Sequence, residues 1–181
     1  MLELRGTAMP RFIPSIALGL AILAALMQPA PADGYKDCQQ SDDPDVEIKG
    51  CTALLAKKTE SKHTHSVAYN NRGYAYARKG EYDKALADLG RAIELNPQYG
   101  EAYNNRAWVY LKTGNAANGL PDAERALLFR PGNADALDTR GQILEALGKR
   151  EEAVADFRRA LSKDPTLQTS KDALKRLGAE L

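Results

Sequence analysis

The sequence predicts an all-α fold, an α-solenoid of three helix–turn–helix repeats, on three observations. First, residue types recur at a spacing of 34 through positions 66–167: Tyr69, Tyr103 and Leu137; Arg72, Arg106 and Arg140; Gly73, Ala107 and Gly141; Tyr76, Tyr110 and Leu144. A period of this size marks units that cannot bury a hydrophobic face alone and therefore stack. Second, each unit is punctuated at the same two places, by Gly80, Gly114 and Gly148 near its middle and by Pro97, Pro131 and Pro165 at its end. Glycine suits a helix C-terminus and proline cannot continue a helix, so each unit divides into two helices. Third, the second half of each unit repeats an inward stripe at helical spacing, Ala85, Leu89 and Ala92 in the first copy and Ala153, Phe157 and Ala160 in the third.

In chain order, residues 1–32 read as a secretory signal. Arg5 and Arg11 precede the apolar run 13–27, and Ala30 and Ala32 stand at the A-x-A positions before Asp33. A retained membrane anchor is the competing reading, but the run is shorter than the ~20 residues a spanning helix needs and contains Pro14. Removing 1–32 takes two of the 25 basic and one of the 24 acidic residues, leaving 23 of each. A neutral chain without a basic stripe has little with which to neutralise phosphates, so nucleic acid and anionic membrane are poor partners. Export implies a periplasmic or secreted location.

Residues 33–65 are expected to form an N-terminal arm and a capping helix. Both cysteines, Cys38 and Cys51, fall here, and an even count in an exported chain argues for a disulfide. In the chain-entropy treatment a loop of this size is worth up to ~3 kcal/mol. Asp43 followed by Pro44, with Asp45 and Glu47 in the first turn, is a helix start. Ile48, Cys51 and Leu55, with Leu54 beside them, would then form its inner face. Residues 57–66 read as a polar linker whose His63 and His65 lack a third ligand for a metal.

The repeats occupy 66–99, 100–133 and 134–167, with 168–181 as a C-terminal capping helix that turns Ala173, Leu174 and Leu177 inward. The middle copy departs from its neighbours, having Gly119 and Ala123 where they have Ala85 and Leu89 or Ala153 and Phe157, with Pro121 between. Proline there should kink the second helix or delay its start, and the small Ala123 should loosen the packing. Arg72 with Asp88, Arg106 with Asp122 and Arg140 with Asp156 are expected to pair between the two helices of each unit.

The succession of aromatic, small residue, Tyr, Ala, bulky apolar residue, Ala and closing Pro resembles the tetratricopeptide repeat. That resemblance implies a concave face lined by the first helices. Helical spacing puts Asn70, Asn71, Tyr74 and Arg78 on it in the first copy, Asn104, Asn105, Trp108 and Lys112 in the second, and Asp138, Gln142 and Glu145 in the third. Asn offers a donor and an acceptor to a peptide backbone while Tyr74 and Trp108 take side chains. Trp108 is either such an anchor or a packing residue against the next repeat.

Some family members clamp a terminal carboxylate with Lys, Asn and Arg. Asn105 matches one of those positions, but Asn70, Tyr74, Asp135 and Thr139 stand at the others, so the cationic part is missing. Asn71 and Asn105 resemble two rungs of the family's asparagine ladder, which Thr139 breaks. With no phosphate loop, metal cluster or nucleophile beside a base, no catalytic residue or cofactor is expected. The implied function is a non-catalytic protein- or peptide-binding adaptor, the alternative being a sensor of a small ligand or cell-wall fragment in the same groove.

Overall fold

The computed structural model describes residues 34–39 and 41–179, with the side chains of 34 and 35 left aside. The expected signal, 1–32, lies outside the described residues. Nine helices and no strand occur among them: α1 (Gly34–Asp37), α2 (Pro44–Leu55), α3 (Lys62–Arg78), α4 (Tyr82–Leu95), α5 (Gly100–Lys112), α6 (Ala116–Phe129), α7 (Ala134–Ala146), α8 (Arg150–Lys163) and α9 (Gln168–Arg176). Helices α3 and α4, α5 and α6, and α7 and α8 form antiparallel hairpins. The first helices α3, α5 and α7 also touch one another directly, and α7 touches α9, whereas α4, α6 and α8 do not meet. The layer whose members touch is the inner, concave one.

Each hairpin turns on a glycine. Gly80, Gly114 and Gly148 have φ of 77°, 75° and 74°, a conformation glycine adopts without a Cβ penalty. In the first, Gly80 N–H donates to Ala77 O and Glu81 N–H to Tyr76 O at 3.0 and 2.9 Å, the bond pair of a Schellman cap.

All three Arg–Asp pairs form, each through two parallel bonds. Arg72 Nε and Nη2 meet Asp88 at 2.7 and 2.9 Å, Arg106 meets Asp122 at 2.7 and 2.9 Å, and Arg140 meets Asp156 at 2.6 and 2.8 Å. The fork geometry fixes the rotation of one helix on the other within every repeat.

The middle repeat corrects one expectation. Helix α6 starts on time at Ala116 and carries Pro121 inside it. Proline lacks the amide that would have bonded the carbonyl of Ala117, an exposed residue. Ala123 is fully buried. In the outer repeats a glycine on the first helix faces a bulky residue on the second: a Cβ on Gly73 would stand 2.8 Å from Leu89, and one on Gly141 2.7 Å from Phe157. In the middle repeat Ala107 replaces the glycine, Ala123 replaces the bulky residue, and Ile143 of α7 fills the space beside Gly119. The residues that fill the space between the helices are thus exchanged between positions.

The N-terminal segment is more ordered than expected. Cys38 and Cys51 are joined and buried, with Cα atoms 4.5 Å apart. Asp43 caps α2 by accepting from Asp45 N–H. The buried face of α2 is Glu47, Gly50, Cys51 and Leu54, with Ile48 and Leu55 only half-buried. The rotation follows from Gly50: any Cβ there would strike the backbone of Asp37 and Cys38, at 2.7 and 2.8 Å, so this face receives the arm. The linker is also shorter. Ser61 accepts from Thr64 N–H and starts α3 at Lys62, which places His63 and His65 in its first turns.

Candidate concave binding site

The inner layer and the N-terminal arm enclose a groove of about 800 Å³. Nine of the eleven residues expected on the concave face line it: Asn70, Asn71, Tyr74, Arg78, Asn104, Asn105, Trp108, Asp138 and Gln142. Of the other two, Lys112 stands beside it, its Nζ 5.2 Å from the centre of the Trp108 ring, and Glu145 is held by Arg176 of α9 at 2.8 and 2.7 Å.

Several of these residues are engaged within the protein. Asn105 Nδ2 donates to Asn70 Oδ1 at 3.0 Å, Asn70 Nδ2 to Asn71 Oδ1 at 3.1 Å, and Asn71 Nδ2 to the carbonyl of Cys38 at 2.7 Å. This chain of amides runs from the second repeat through the first into the disulfide-bonded arm. Tyr99 hydrogen-bonds to the buried Asn70, and burial, with Glu101 nearby, pushes its hydroxyl up to about 12. It stays neutral at any physiological pH. Arg78 donates to the carbonyls of Ser41 and Asp42 and reaches Glu47 at 3.4 Å. Burial pushes the Glu47 carboxyl above its ordinary value while Arg78 pulls it down. At the far end, Asp138 accepts from Gln142 Nε2 at 2.6 Å and from Ser170 of α9, so these two expected contact residues hold the C-terminal cap.

What remains open lies between. Tyr74 is 41% exposed, and its ring centre is 6.4 Å from that of Trp108. Trp108 lines the groove and also packs on the cluster of Ala77, Ala85, Leu89 and Val109, which belongs to the preceding repeat and its own helix rather than to the next repeat. Asn104 Oδ1 is buried without a hydrogen-bond partner among the described residues, an acceptor left for an incoming N–H.

Other lining residues were not anticipated as contacts. Glu101, Asp135 and Thr169 occupy one register of the repeat, and stepping 34 residues would have gathered them. Ser41, Asp42 and Glu47 come from the arm, and no periodicity points to them.

This is the architecture of a helical-repeat binding module. Tetratricopeptide repeat models match residues 66–99, 89–119 and 134–167. The TPR domain of Arabidopsis OM64 is similar, with 32% identity and a TM-score of 0.62 over 65% of this chain and 97% of that one. MamA is 30% identical with a TM-score of 0.57, over 67% of this chain and 69% of its own. The first TPR of Spaghetti (RPAP3), solved with the HSP90 peptide SRMEEVD, is 25% identical with a TM-score of 0.60, over 62% and 90%. The chain belongs to the tetratricopeptide repeat family.

Proposed function

We propose that this protein is a non-catalytic adaptor that holds a protein segment in the concave groove, and that it works in the bacterial periplasm. The observation that carries the reading is the stretch between the two engaged ends, where Tyr74, Trp108 and Asn104 line one cavity and the Asn104 Oδ1 is buried with no hydrogen-bond partner among the described residues. An exposed Tyr74 and a part-buried Trp108 beside an unpartnered amide acceptor suit a peptide, whose side chains need apolar cover and whose backbone N–H needs an acceptor. The Spaghetti domain with its bound peptide supports the same use of this fold. Export is supported by the buried Cys38–Cys51 bond, since such bonds persist in oxidising compartments.

A photo-crosslinking amino acid placed at Tyr74, and separately at Leu128, tests the proposal; Leu128 is 69% exposed on α6 of the outer layer. In cells, the Tyr74 probe is expected to capture a discrete partner that the Leu128 probe does not, and Trp108→Ala is expected to abolish that capture. Equal capture from both positions would refute the groove as the binding surface.

A further inference from the structure

We infer that the groove accepts an extended segment bearing Lys or Arg side chains and rejects acidic tails. This rests on the peptide-binding reading above and adds the chemistry of the partner.

The first-repeat end is already occupied by the protein's own backbone. Asn71 holds the carbonyl of Cys38, and Arg78 holds those of Ser41 and Asp42. A partner therefore lies along α5 and α7, beside Tyr74. The charges on the wall are unequal. Five carboxylates line the groove, Asp42, Glu47, Glu101, Asp135 and Asp138, against two guanidinium groups, Arg78 and Arg130. Both arginines are used internally, Arg78 with Glu47 at 3.4 Å and Arg130 with Glu101 at 3.3 Å. Asp42, Asp135 and Asp138 are left without a cationic partner among the described residues, and the two donors to Asp138, Gln142 and Ser170, are neutral. Lys112 stands outside the lining, over Trp108.

An excess of three carboxylates in a concave wall focuses a negative potential on whatever enters. The exposed Tyr74 ring reinforces it, because aromatic faces attract ammonium and guanidinium groups, whereas Trp108 already carries Lys112 over its ring. Asp135 is exposed in the first turn of α7 and so is free to meet a cation directly. An acidic segment would instead meet like charge, with neither arginine available to offset it.

The test pans a random peptide library displayed on phage against the full chain with its disulfide formed, then compares synthetic winners on the wild type and on Asp135→Asn. The expected pool is enriched in Lys and Arg over the unselected library, with binding that weakens as ionic strength rises. Asp135→Asn is expected to weaken the winners about two- to fivefold, the size of an exposed charge pair. Substituting Gln for the cations of a winner should remove that difference between the two proteins. A pool enriched in Asp and Glu, a pool without charge bias, or winners indifferent to Asp135→Asn would overturn the charge rule and leave peptide binding standing. A library that yields no binder would overturn both.

Discussion

Asn105 of the second repeat donates its side-chain amide to Asn70 of the first, at 3.0 Å, and Asn70 passes the connection to Asn71 and so to the carbonyl of Cys38. The groove surface and the N-terminal arm are thus one hydrogen-bonded unit. Asn70 is fully buried, so Asn70→Ala takes a hydrogen-bond partner from the Asn105 amide, the Asn71 Oδ1 and Tyr99, while Asn71 keeps the Cys38 carbonyl. A cost of about 1–3 kcal/mol is expected from the unmade bonds, read as a shift in the urea midpoint without change of slope.

The Arg140–Asp156 pair predicts a smaller loss than its two short bonds imply. The side chains are 24% and 4% exposed, so Arg140 regains water when its partner is removed. Asp156→Ala should cost about 1–3 kcal/mol, below the 3–5 kcal/mol typical of breaking a fully buried pair. Denaturant titration of this variant beside Arg140→Leu distinguishes the outcomes: a cost of 3 kcal/mol or more for the aspartate variant alone would indicate a stranded, desolvated arginine.

The exchange of volumes in the middle repeat is testable by reversal. Ala123→Leu restores the residue found at Leu89 but meets Ile143, and is expected to cost about 1–3 kcal/mol through overpacking. Ile143→Ala is expected to cost about 2–5 kcal/mol through the cavity it leaves. Together they should cost less than the sum, and additive losses in thermal melts would show that the two side chains do not share the space.

Glu47 sets a pH dependence whose sign is fixed. Burial raises its folded pKa above the 4.5 of the free side chain, with Arg78 opposing. The folded state then binds the proton more tightly than the unfolded state, so this contribution to stability is complete below 4.5 and is lost as pH rises through the folded value. Glu47→Gln is expected to flatten the stability profile just above pH 4.5. An unchanged profile would mean that the arm does not bury this carboxyl.

The Cys38–Cys51 bond holds the arm whose carbonyls Asn71 and Arg78 capture. Its reduction is expected to cost up to ~3 kcal/mol and to raise amide exchange in residues 36–43 before any other segment. Simultaneous exchange along the whole array would show that the arm is not a separate unit.

The repeat was legible because each position answers to the same stacking demand three times. Gly80, Gly114 and Gly148 need positive φ, and each Arg faces an Asp sixteen residues on. The middle repeat differs from expectation because its packing is not local: Ile143 beside Gly119 lies in the next unit, and α6 runs on through Pro121. On the concave face, spacing put side chains on the right wall and could not tell which were spent. Asn70 is engaged by Asn105 and Asn71, Arg78 by the arm and Asp138 by α9, and the last two contacts depend on non-repeating ends. The rotation of α2 was likewise set by the arm it receives at Gly50.

Trp108 is the only tryptophan, so its indole N–H gives a single resolved NMR cross-peak in the wall of the groove. Titration with a library-selected peptide is expected to shift that peak and the amides of α5 and α7, leaving those around Leu128 on α6 in place. A Trp108 peak that stays still while the signals around Leu128 move would contradict binding in the concave groove.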